Sequence, residues 1–360
     1  MTVLREGKVV EVVHSADDLI RATVAVDSEV VASVGWPAML GPLAAGDRVV
    51  VNMVGIGLRL GTGGEAFILW NLDGVGPSSE PAGHIVKLRY TPWQIPVAAV
   101  EAPESPHHEA LADAVSLEGM PVVVCSLHSQ VGAAAAGIKA PAPHARVGYL
   151  MTDGGALPLA WSEQVRALKA AALIDDTCTV GHAFGGDLEA INVFSGLVAL
   201  KVVARVNAIV AALGPGIVGT STALGFTGME QGQLLDAVTA LGGHSIACLR
   251  LSFADDRPRH RGVSRHSLMA LSIAAREPTD IVVPKLPPAR RDEVIRQLDD
   301  AGICRRHRLV FASGSDGLRL LEERDIQVES MGRSATDVPE LFAAAAAAGG
   351  VAGASIATTG

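Results

Sequence analysis

Apolar runs that halt at loops of Gly, His, Asp, Ser and Thr recur along this chain, and that rhythm limits the fold more than any other feature. Residues 121–125 stop before Ser126-Leu-His-Ser-Gln130, residues 147–151 before Thr152-Asp-Gly-Gly155, and residues 177–180 before Gly181-His-Ala-Phe-Gly-Gly-Asp187. Residues 208–213, 246–251 and 308–312 stop in the same way. They precede Gly214-Pro-Gly-Ile-Val-Gly-Thr220, a segment rich in His and Arg, and Ser313-Gly-Ser-Asp-Gly317. A strand buried on both faces reads as a continuous apolar run, and helix patterns follow most of these runs. The sequence therefore predicts an α/β fold, a mostly parallel Rossmann-like sheet with helices on both faces. Ligands of such sheets sit beyond the carboxyl ends of the strands, where these loops gather.

Residues 1–73 follow another pattern. Short β-type runs at 8–13, 22–26, 29–34, 48–51 and 67–70 are separated by turns, of which Gly46-Asp47 and residues 61–64 are the plainest. A small all-β module, barrel or sandwich, is expected there. The Gly-, Pro- and Ser-rich residues 73–83 lead into an α/β domain over 84–348, and an Ala/Gly tail at 349–360 is expected to fray after Ala348. Among the helices, Ser162 is placed to cap 163–173, Asp187 to cap a long apolar helix reaching Arg205, and Ser264 to cap 265–276. Thr227-Gly-Met-Glu230 reads as a capping box. The helix over 188–203 is apolar nearly all round, so it must be buried on more than one side, and a homo-oligomer is expected.

The length of 360 residues suits two domains. A net charge of −9 argues against a nucleic-acid partner, whose binding demands a basic face. The 4 cysteines stand far apart with no metal-ribbon or redox spacing, and the start of the chain is charged, which together point to reduced thiols in the cytoplasm. Two uncharged stretches, 207–229 and 341–360, are too rich in Gly, Pro, Thr or Ala to predict a membrane span.

Four loops carry candidate chemistry. Gly214, Gly216 and Gly219 form a G-x-G-x-x-G after a strand, and Thr220, Ser221 and Thr222 add hydroxyl donors. The ribose-binding acid of a dinucleotide site is missing downstream, so the broader expectation is an anion held by backbone N–H groups. His128 and His182 each stand at a strand end and are candidates for proton transfer, with Asp187 or Asp153 assisting. Asp187 is equally a helix cap, and His128 equally a turn histidine. Arg259, His260, Arg261, Arg265 and His266 form a polar arm suited to closing over an anion, and Lys285 ends another apolar run. No G-x-S-x-G elbow and no P-loop occurs.

The segments 125–130, 181–187, 214–228 and 259–267 resemble an uncharacterised bacterial family catalogued only as a domain of unknown function. The likeness covers most of 85–330 and implies an intracellular bacterial protein, with no activity, cofactor or catalytic assignment. The leading expectation is thus an enzyme acting on a small anionic metabolite, phosphorylated ones included, with no cofactor named by the sequence. A metal-dependent hydrolase using His128, His182, Asp187 and His266 is the second reading, and a non-catalytic ligand sensor or assembly protein the third.

Overall fold

The structure, a computed structural model, describes residues 3–58, 64–77 and 83–358. Of the expected turn at 61–64 only Gly64 falls among them, and residues 78–82 of the expected linker lie outside. The chain divides into two units, Met1–Ala98 and Ala99–Gly360.

In the first unit, five strands close a barrel: β1 (Leu4–Ser15), β2 (Ile20–Val26), β3 (Glu29–Gly35), β4 (Arg48–Asn52) and β5 (Ala66–Asn71), in the order β1-β2-β3-β5-β4. Alternation sets the interior. Ile20, Ala22, Val24 and Val26 of β2 are buried while the residues between them are part-exposed, the period-2 signature of a strand with one face in a core. Irregularities between Val9 and Glu11 and between Val12 and His14 interrupt the β1 register, and β1 pairs with both β2 and β4. The hairpin β6 (Ile85–Lys87) and β7 (Ile95–Val97) belongs to this unit too, so it extends well past residue 73.

The second unit is built on eight strands: β8 (Pro121–Val124), β9 (Val147–Thr152), β10 (Asp176–Thr179), β11 (Leu188–Glu189), β12 (Ala208–Leu213), β13 (His244–Cys248) and, beyond the short hairpin β14 (Leu251–Ser252) and β15 (Gly262–Val263), β16 (Asp280–Pro284) and β17 (Arg308–Ala312). Their order is β11-β10-β9-β12-β8-β13-β16-β17, and every pairing is parallel. Burial on both faces explains the unbroken apolar runs: every residue of β8, β9 and β12 is buried. Each Val, Leu or Ile so enclosed contributes roughly 1.5–3 kcal/mol relative to exposure. Helices Val131–Lys139, Glu163–Ala170, Ser315–Glu323 and Pro339–Ala357 pack on one face, and Val193–Val202, Glu230–Ala240 and Pro288–Asp300 on the other.

Several expected elements differ. Residues 188–203 are not one helix: Leu188–Glu189 forms edge strand β11, and the helix Val193–Val202 starts only after Asn192, whose side chain caps it in a capping box with Ser195. Its residues 196–200 are buried, while Phe194 is half exposed. The helix capped by Ser264 is α-helical only over Arg265–Met269 and continues as a π-turn through Ala274. The C-terminal stretch does not fray after Ala348 but stays helical from Pro339 to Ala357. Close packing holds it: a β-carbon on Gly349 would lie 2.0 Å from the Ala134 carbonyl oxygen, and one on Gly137 would lie 2.2 Å from that of Ala346. The small-residue segment 131–137 therefore admits another helix backbone. This C-terminal helix is long and apolar enough to cross a membrane by length and composition, and most of it is buried against the sheet domain.

Candidate functional site

Strand order decides where a crevice can open. The segments after β8 and β9 lead to helices Val131–Lys139 and Glu163–Ala170 on one face, whereas the segment after β12, which lies between those strands, leads to Glu230–Ala240 on the other. Adjacent connections that part to opposite faces leave a gap at the carboxyl edge, the usual ligand position in such sheets.

Three loops meet at this gap. The backbone N–H of Ala156 donates to the Pro215 carbonyl at 2.7 Å, tying the β9 loop to the β12 loop, and Leu159 and Phe184 tie it to the β10 loop. Asp153 and Glu230 stand here as neighbouring carboxylates. Glu230 Oε1 accepts a hydrogen bond from Thr152 Oγ1 at 2.6 Å, and Asp153 Oδ2 accepts one from the backbone N–H of His182 at 2.9 Å. The carboxylates crowd the loop backbones: a β-carbon on Gly154 would come within 2.4 Å of Glu230 Oε2, and one on Gly181 as close to Asp153 Oδ2. Gly181 also sits at φ +65°, in the left-handed region that favours glycine. Burial pushes the Glu230 pKa up to about 7, the Thr152 hydrogen bond opposing the rise and the charge of Asp153 adding to it. A carboxyl poised near neutrality beside an exposed carboxylate is the arrangement of an acid–base site.

A second group lies at the end of β13. Arg250 as a residue is only 8 % exposed, and its guanidinium reaches His266 Nδ1 at 3.5 Å. His266 stacks on Phe226 at 4.0 Å between ring centroids, and His260 meets its edge at 4.9 Å. His260 Nδ1 pairs with Ser264 Oγ at 2.7 Å. Burial, reinforced by the surrounding arginines, lowers His260 to about 3 and His266 to about 4, so both are neutral at pH 7. Arg259, Arg261 and Arg265 are exposed around them. The 214–229 segment joins the two groups, since Gly155 packs on Gly214 at one end and Phe226 covers His266 at the other.

The remaining candidates are placed otherwise. His128 is buried, with Nδ1 on Tyr149 Oη at 2.9 Å and Nε2 on Ser162 Oγ at 2.7 Å. Burial lowers it to about 4, and its ring links β9 to the cap of helix Glu163–Ala170. Asp187 caps no helix. Its carboxylate accepts from the Thr177 N–H and hydroxyl, each at 2.8 Å, and from Lys169. Burial works against the charge, but these partners hold its carboxyl below the usual range. Gly214-to-Gly219 does not open a helix, because the next helical residues are the 3-10 turn Thr227–Met229 and the α-helix that starts at Glu230. Thr220 and Thr222 bond each other and Gly225, which closes a turn with Ser221 at φ +64°. Lys285 is exposed at the end of β16. Among the described residues, no three His, Cys, Asp or Glu side chains converge as a metal site, so His128, His182, Asp187 and His266 do not form one.

Glu230 and Arg250 are absent from the sequence-derived set. Glu230 was assigned wholly to a capping box, yet Thr227 Oγ1 instead accepts from the Val218 N–H. Arg250 had a visible signal: it is a single charge inside the apolar stretch 246–251.

No curated protein and no solved structure matches the chain. One family match spans residues 32–349, which takes in the end of β3, β4 and β5 of the barrel and all eight strands of the sheet with the loops described above. On that span the chain belongs to the family described as "Protein of unknown function (DUF3866)".

Proposed function

We propose that this protein is an enzyme that transfers a proton to or from a small anionic metabolite at the crevice between the β9, β10 and β12 loops. The observation that carries the reading is the pair Asp153 and Glu230, two carboxylates brought from separate loops to one strand-end gap. Glu230 exchanges the proton, since its pKa of about 7 keeps both forms populated in neutral solution. Asp153 stays close enough to raise that pKa, and His182, anchored to Asp153 through its backbone, brings a second titratable side chain to the same edge. The arginines around the end of β13 supply the positive field that favours an anionic substrate.

The test is to incubate the full chain with a mixture of phosphorylated and carboxylated metabolites and follow each by mass spectrometry. Depletion of one compound by the wild type, slowed about a hundredfold or more in Glu230→Gln, is the expected result. Equal depletion by both proteins, or none by either, overturns the reading.

A further inference from the structure

Arg250 breaks a rule that the other enclosed cations of this domain obey. Lys139, equally buried, donates to Asp175 at 2.8 Å. The guanidinium of Arg306 donates to the carbonyls of Ser272 and Ala275, the first at 3.2 Å and the second at 2.8 Å. Arg250 has neither kind of partner among the described residues. Its contact is with the neutral His266 ring at 3.5 Å, the limit of a hydrogen bond. The nearby Asp255 is spent elsewhere: its two oxygens take Arg257 side-on at 2.9 and 2.8 Å, and Arg333 adds a contact at 3.4 Å. An arginine only 8 % exposed that hydrogen-bonds no carboxylate or carbonyl among the described residues is costly to hold there, and an occupant that supplied acceptors would offset that cost.

The charge count specifies that occupant. Arg250, Arg257, Arg259 and Arg333 act on this spot against Asp255 alone, so the excess is larger than one carboxylate can neutralise. The donors also suit a tetrahedral oxyanion. The guanidinium offers a planar fork, His260 and His266 are neutral rings, and exposed Gly219 lies against His266, leaving backbone close to the spot. We propose that Arg250 is the floor of a binding site for a dianionic phosphomonoester group, with Arg259 closing over it from the surface. The proposal rests on the proton-transfer reading only in identifying that group as part of the metabolite on which Glu230 acts.

The test is calorimetric titration of the full chain with inorganic phosphate, methyl phosphate and acetate at matched ionic strength. Both phosphates are expected to bind saturably, and acetate about tenfold or more weakly. Arg250→Met is expected to abolish phosphate binding while its melting temperature in chloride stays level or rises, because a buried unpaired charge has gone. Arg259→Gln, a surface change that leaves the fold intact, is expected to weaken phosphate about tenfold. Acetate binding as well as phosphate, exclusion of methyl phosphate, or unchanged affinity in both variants overturns the proposal. Glu230→Gln separates the two readings. Retained phosphate binding with no turnover by any form leaves the site standing and removes the catalytic role, whereas Glu230-dependent turnover without phosphate binding removes the site alone.

Discussion

Thr152, the last residue of β9, donates its hydroxyl hydrogen to Glu230, the first residue of the helix that follows the β12 loop, at 2.6 Å. This bond is made to the charged carboxylate and so opposes the upward pull of burial on its pKa. Thr152→Val keeps the shape and removes the donor. The pKa of Glu230 is expected to rise from about 7 by roughly one unit, as followed by carbon NMR of the labelled carboxyl group. A fall, or no change, would show that the hydroxyl does not favour the ionised form.

Glu230 also makes stability depend on pH. Its folded pKa of about 7 lies above the ordinary 4.5. The native state therefore holds the proton more tightly, its advantage being complete below pH 4.5 and lost as pH rises through 7. Glu230→Gln removes the ionisation. The variant is expected to gain roughly 2 kcal/mol on the wild type at pH 8 and nothing at pH 4, as measured by urea unfolding at each pH.

His128 works in the opposite direction. Its folded pKa of about 4 lies below the ordinary 6.5, so its neutral ring contributes stability above pH 6.5 that is lost as pH falls towards 4. His128→Gln breaks the bridge between Tyr149 and Ser162 and leaves buried hydroxyls short of a partner. A loss of roughly 2–3 kcal/mol at pH 7 is expected, with a shallower decline in acid than the wild type shows. Histidines 260 and 266, lowered for the same reason, keep part of that decline in place.

Two neighbouring glycines in the C-terminal helix should respond with opposite signs. Gly349→Ala forces a methyl against the Ala134 carbonyl and is expected to cost roughly 2 kcal/mol or more. Gly350→Ala meets only the Ser313 carbonyl oxygen at 3.7 Å, an ordinary contact, and gains helix propensity of up to about 1 kcal/mol. Thermal melting of the two variants side by side checks both. Equal shifts would mean that the backbones do not touch at Gly349.

The parallel sheet could be read from the sequence because strands enclosed on both sides leave long apolar signatures, and the barrel because half-buried strands alternate. The helix Val193–Val202 was harder. Apolar residues run straight through edge strand β11 into it, and the signal that separates them is the Asn192-to-Ser195 capping pair. The site was legible only in part. Asp153 and His182 stand in loops, and His260 and His266 in a polar arm, whose composition betrays them, but Glu230 becomes an acid–base candidate only because β12 inserts beside β9. Strand order is a long-range outcome that no local pattern encodes. Arg250 differs again: its lack of a carboxylate or carbonyl acceptor is a property of its neighbours in space.

The docking of helix Pro339–Ala357 on Val131–Lys139 joins the opposite ends of the second unit's sequence through contacts between bare backbones. Until that contact forms, the poly-alanine face of Val131–Lys139 is open to water and to other apolar chains. Such distant pairing slows folding and prolongs that exposure. Trimming the C-terminal helix should therefore yield a protein that aggregates instead of one that is merely shorter, and a tag placed there competes with the final closure of the core.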